Sequence, residues 1–78
     1  MPTVLRAGPY RFFYYASDGT EPAHVHVERD TSVAKYWLMP IRLQRAGGFG
    51  RVELARIEAL VRQHEPILRE SWYAFFRS

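Results

Sequence analysis

Two histidines one residue apart, in His24-Val25-His26-Val27 behind Glu21-Pro22, are the residues of this chain best spaced to do chemistry. On a β-strand, where side chains alternate between faces, they point to one side about 7 Å apart. Both titrate near neutrality, so the pair suits acid–base chemistry or a shared ligand. Strand parity adds Glu28 to the same face. A following strand can bring Lys35 and Trp37 there, and a preceding one Arg11, Phe13 and Tyr15, with the register left open.

Imidazoles, cations and aromatic rings on one surface are what phosphate positioning, base stacking and proton transfer at an RNA site require. In such a site one of His24 and His26 takes the proton of a ribose 2′-hydroxyl and the other protonates the leaving oxygen. Lys35 or Arg11 stabilises the charge developing on phosphorus. No metal and no cofactor is required. Two other readings stay open: the histidines are half-exposed strand residues without a chemical role, or they chelate a metal from one face. Catalytic zinc needs three protein ligands, and His64 or Glu65 would supply the third.

The elements that must position these groups follow from patterning. Residues 3–6, 10–16, 24–29 and 33–38 read as short strands, punctuated by Gly8-Pro9, Ser17-Asp18-Gly19 and Asp30-Thr31-Ser32. No connection is long enough for a crossover helix, so the strands predict an antiparallel meander. Residues 39–49, with Pro40 and Gly47-Gly48, read as a connector with one short turn of structure around 41–44. Gly50 with Glu53 resembles a capping box, and Phe49 can pack on Leu54, so a helix should begin near Arg51. Gly47-Gly48-Phe49-Gly50 lacks the lysine of a phosphate loop and reads as a flexible helix entrance.

Leu54, Ile57, Val61, His64, Leu68, Trp72 and Phe75 then follow helical spacing. Pro66 breaks the run, giving a kinked helix or two short ones, and the continuous phase of the stripe favours the kink. The stripe puts His64 at the core edge, on the far side of the sheet from His24 and His26, which weighs against it as their metal partner.

The expected fold is α+β: an antiparallel meander of about four strands, with a kinked C-terminal helix (or two short helices) packed on one face and the other face open. Residues 1–78 form one domain, strand-rich over 3–38, connecting over 39–49 and helical over 50–77. Trp72, Phe75 and Phe76 spread aromatic rings beyond a narrow stripe, which predicts a partner interface or a homodimer.

Composition narrows the function classes. Cysteine is absent, so disulfides, thiolate metal sites and a Cys nucleophile are excluded. Ten arginines and one lysine against eight acids leave a formal charge of +3, a small footprint for an anionic partner. No leader pattern and no membrane-length apolar run is visible, which predicts a soluble cytoplasmic protein with no membrane partner. Motifs for nucleotide hydrolysis, esterase and metalloprotease chemistry are missing.

The residues also carry a resemblance. Met1-Pro2-Thr3-Val4-Leu5, Tyr10-Arg11-Phe12-Phe13-Tyr14-Tyr15, Glu21-Pro22-Ala23-His24-Val25-His26-Val27-Glu28, Ala34-Lys35-Tyr36-Trp37-Leu38, Pro40, and Gly48-Phe49 through Glu53-Leu54 resemble the small bacterial family catalogued as domain of unknown function 4160. That resemblance implies a protein often encoded beside a member of the family catalogued as domain of unknown function 2442. It also implies the toxin of a type II toxin–antitoxin pair, neutralised by a small cognate antitoxin. Glu21, His24, His26, Glu28 and Lys35 are the polar residues that match the family pattern. Ala23, Gly50 and Pro66 depart from it, at the entry to the histidine strand, the helix cap and the helix interior. The expected function is thus a toxin that cleaves RNA without a metal, using His24, His26 and Lys35, with Arg11, Tyr15, Glu21, Glu28 and Trp37 holding the substrate. The alternative is a non-catalytic module binding nucleic acid or protein.

Overall fold

The computed structural model describes residues 3–76. Five short segments pair in chain order into one antiparallel sheet: β1 (Thr3–Ala7), β2 (Tyr10–Phe13), β3 (His24–Arg29), β4 (Ser32–Leu38) and β5 (Ile41–Arg45). The meander is therefore one strand wider than expected. β5 lies inside the predicted connector, where Ile41-Arg42-Leu43-Gln44-Arg45 alternates apolar and polar residues. The adjacent Pro40 and glycine pair obscure that period, yet Pro40 sits just outside the strand, where it withdraws no ladder hydrogen bond. β2 stops at Phe13, three residues early, because the chain turns there into a 3-10 segment, Ala16–Thr20.

One face of the sheet is apolar at every second residue and lies under α1 (Arg51–Gln63) and α2 (Glu65–Phe76). Phe12, Val25, Val27, Ala34 and Tyr36 from the sheet meet Ile57, Val61, Leu68 and Trp72 from the helices in one core. Fully burying a side chain such as Val, Leu or Phe contributes about 1.5–3 kcal/mol each, which is what holds so small a sheet to its helices. Two phenols add direction to this packing. Tyr14 donates to the Leu68 carbonyl, and Tyr36 donates to the Leu54 carbonyl at 2.8 Å. Burial pushes the Tyr36 hydroxyl up to about 12, so it stays protonated and donating.

The helical stripe runs as predicted through Trp72, and of the two expected forms the chain takes two short helices, not the kinked one that the phase favoured. Two helices meet at His64, whose φ of −103° and ψ of 12° leave the helical region. Pro66 has no N–H to give to the preceding turn, and it falls in the first turn of α2, where that loss costs nothing. The expected helix ran to 77; residues 77 and 78, like 1 and 2, lie outside the described residues.

α1 does begin at Arg51, but Gly50 caps it without a side-chain hydrogen bond. Glu53 does not reach back to the cap. It accepts from Arg29 at 2.6 and 2.7 Å and from the Tyr10 hydroxyl at 2.8 Å, joining the helix start to β2 and β3. The Arg29 guanidinium, with help from Tyr10, holds the Glu53 carboxyl below its ordinary value of 4.5. A carboxyl depressed in the folded state stabilises the fold above its unfolded value, and that contribution is lost as pH falls through the depressed one. Glu53→Gln should therefore lower the urea midpoint at neutral pH, and the gap to wild type should close as the medium is acidified below about 4.5. A gap that is constant with pH would remove the ion pair from the stability of the fold.

Candidate functional site

The face opposite the helices carries Arg11, Phe13, His26, Glu28, Lys35 and Trp37, as parity predicts. Register sets their neighbours: Arg11 opposite Glu28, Phe13 opposite His26, His26 opposite Lys35, and His24 opposite Trp37. This face is not open along its length. Beyond Phe13 the 3-10 turn folds over the sheet, and α2 brings Trp72 around its end to 4.9 Å from the His24 ring. His24, predicted to face outward, is consequently fully buried, at 0% exposure. It is out of reach of a substrate at the surface.

The turn contributes Asp18, whose place in a Ser-Asp-Gly turn signal conceals its chemistry in the sequence. Its backbone N–H donates to the Tyr15 carbonyl at 3.0 Å, and its carboxylate Oδ2 accepts the Tyr15 N–H at 2.8 Å, so the side chain is fixed. The same oxygen lies 3.0 Å from His26 Nε2 and 3.2 Å from His24 Nε2. One ligand atom from each of Asp18, His24 and His26 falls within 4.8 Å of the others.

The His24 tautomer follows from its neighbours. Nδ1 lies 2.9 Å from the Pro22 carbonyl, which can only accept, so Nδ1 carries the hydrogen. In the neutral ring Nε2 is then a bare lone pair, buried, with no hydrogen-bond partner, facing a carboxylate oxygen. His26 is partly open. It stacks on Phe13 at 5.3 Å and meets the Tyr15 ring at 4.7 Å, and burial pulls its pKa below the ordinary histidine value while Asp18 opposes that shift.

Around His26 lies a pocket of about 250 Å³ lined by Tyr15, His26, Val33, Lys35 and Arg45. Arg45 enters through a bulge in β5. Lys35 pairs with Arg45 and Tyr36 with Leu43, so Gln44 is the extra residue and Arg45 moves to the His26 face. Without β5 in the predicted fold, this cation is missed. Lys35 also bonds Glu21 and lies 4.9 Å over the Trp37 ring. Arg11 bonds Glu28 at 2.8 Å and Thr3 at 3.1 Å, so these two predicted substrate contacts satisfy each other on the sheet surface.

The remaining candidates separate. His64 donates from Nδ1 to the Leu60 carbonyl at 2.9 Å beside the helix break, and the residue gathered with the two histidines is Asp18, not the His64 or Glu65 that the metal alternative considered. Of the predicted interface residues, Trp72 is core at 5% exposure, Phe76 is half-buried against Gly19, and Phe75 is open at 43%. Trp72 turned inward because Tyr14, His24 and Phe76 surround it.

A five-stranded antiparallel meander backed by two helices, with a carboxylate and two imidazoles gathered under a turn at one end, defines a small α+β domain built around a polar cluster. The chain belongs to the family described as domain of unknown function DUF4160, whose model matches residues 10–73 and so spans the whole cluster and its pocket. Comparisons with curated proteins and with solved structures returned no match. Among the described residues no helix is long and apolar enough to cross a membrane.

Proposed function

We propose that this protein is the toxin of a bacterial type II toxin–antitoxin pair and cleaves RNA at the pocket above His26. The observation that supports this best is the meeting of an imidazole, two cations and an aromatic ring, His26 with Lys35, Arg45 and Tyr15, around one open pocket. Lys35 and Arg45 suit a phosphate, and the exposed Tyr15 ring suits an unstacked base. The 2′-oxygen attacks phosphorus, its proton passes to the Asp18–His26 cluster, the bond to the 5′-oxygen breaks, and that oxygen takes a proton from water. His24 serves from beneath by holding the cluster, in place of the two-histidine relay that sequence alone suggests. The protein works in the cytoplasm, where a small antitoxin or a second copy covers the pocket or the exposed Phe75.

The burial of His24 also favours a second reading, binding without cleavage, since the relay loses one of its two groups. Inducible expression of wild type and of His24→Ala/His26→Ala in a bacterial host, with growth and total RNA followed together, separates the two. Arrest with cleaved RNA in wild type alone is the expected outcome. Equal arrest in both strains, with intact RNA, would leave a binding module.

A further inference from the structure

Two features of the Asp18, His24 and His26 cluster point beyond hydrogen bonding, and a third supports them. His24 Nε2 is buried and makes no hydrogen bond. Asp18 Oδ2 stands 3.2 Å from it, a position unfavourable for a neutral ring unless a proton or a metal cation lies between the two atoms. And the far side of the ring is anchored by an Nδ1–H donated to the Pro22 carbonyl, the kind of outer support that orients a metal-binding imidazole.

Two of the three ligand-atom separations match a small tetrahedral cation, and all three atoms lie within 4.8 Å of one another. A tetrahedral zinc-like ion with bonds of about 2.0–2.1 Å holds its ligand atoms about 3.3 Å apart. The carboxylate oxygen of Asp18 lies 3.2 Å from His24 Nε2 and 3.0 Å from His26 Nε2. Two imidazoles and one carboxylate make a ligand set for a divalent first-row transition metal, and neither magnesium nor calcium prefers it.

We infer that Asp18 Oδ2, His24 Nε2 and His26 Nε2 bind one divalent transition-metal ion of the zinc class, with its open positions directed along His26 into the pocket of Lys35 and Arg45. The ion replaces the hydrogen bond between His26 and Asp18 and supplies the positive charge that the buried lone pair lacks. Binding stands on the geometry of the cluster. Its part in cleavage rests on the RNA reading: water on the open position loses a proton more easily than bulk water, and the hydroxide then takes the ribose hydroxyl proton in place of a bare imidazole.

The test uses untagged protein stripped with chelator and then titrated with Co²⁺, reading visible ligand-field absorption, and with Zn²⁺, reading the imidazole ¹⁵N resonances of the wild type. One Co²⁺ should bind per chain, displaced by Zn²⁺. Zn²⁺ should move the His24 and His26 resonances and leave His64 in place. Asp18→Ala should weaken Co²⁺ binding by more than about 100-fold, since the loss of even an outer support costs 10–100-fold. No absorption in the wild type, resonances that stay fixed, or unchanged affinity in a folded Asp18→Ala would overturn the inference. The wild-type resonances decide the matter if that variant does not fold. Tight metal binding with intact RNA would overturn the RNA reading alone. RNA cleavage by chelated protein that binds no metal would overturn the metal inference alone.

Discussion

Trp72→Ala is expected to cost about 3–5 kcal/mol, the range for deleting a buried aromatic side chain. A 78-residue domain has about 4–12 kcal/mol in total, so the loss removes a large fraction of the stability and should shift the urea midpoint strongly downward. The reason is position. At 5% exposure Trp72 lies 5.3 Å from Tyr14, 4.9 Å from His24 and 4.3 Å from Phe76, closing the end of the sheet against α2. Phe75 lies three residues further on and is an interface candidate on the same grounds, yet it is 43% exposed. Phe75→Ala should cost about 1 kcal/mol or less, near the range of surface substitutions. Urea denaturation of the two variants checks the contrast, and a larger loss for Phe75 would contradict the placement of α2.

Gly47→Ala is expected to be similarly damaging, on the order of 3 kcal/mol, by combining a left-handed backbone with overpacking. Gly47 has φ of +63°, and a Cβ there would stand 1.7 Å from the Val33 carbonyl oxygen and 2.4 Å from its carbon. Both atoms are backbone of β4 and cannot swing aside. The Gly47 carbonyl also accepts the Val33 N–H at 3.2 Å, so the glycine segment is a clamp on the strand and not the loose helix entrance its composition suggests. Gly8 is the internal control. Its φ is +58° but nothing lies within 4 Å of the added carbon, so Gly8→Ala should show only the left-handed penalty, about 1–2 kcal/mol. Equal losses at the two glycines would mean that the close approach to β4 is not made. Because Val33 and Arg45 flank this clamp and line the pocket, any folded Gly47→Ala protein should also be impaired in the RNA cleavage proposed for it.

The legible part of the fold was the part written in periods. Val25 and Val27 against His26 and Glu28 gave the two sheet faces, and Leu54 through Trp72 gave the helix stripe, because burial acts on every second or every third-to-fourth residue. Local punctuation misled where tertiary pairing overrode it. Pro40 and Gly47-Gly48 bracket β5 so closely that the strand reads as loop, and with it Arg45 was lost. Pro66 could bend one helix or start another, and only the conformation of His64 decides. In the site, parity placed the histidines correctly on one face, but the cover over that face comes from Asp18 and Trp72, six residues before and forty-eight after His24. No local pattern encodes a long-range lid. Asp18 carried a signal of its own as an acid in a turn ahead of the strand, which its value as a turn former was sufficient to explain.

The most direct measurement is cleavage of an end-labelled RNA by purified wild type and by His26→Ala, on ribose RNA and on the same sequence with 2′-deoxy substitutions at the cut sites. Discrete cuts by wild type are the expected result, lost in folded His26→Ala and blocked wherever the 2′-hydroxyl is missing. Intact RNA with wild type, or equal cutting by His26→Ala, would contradict a catalytic role for the pocket above His26.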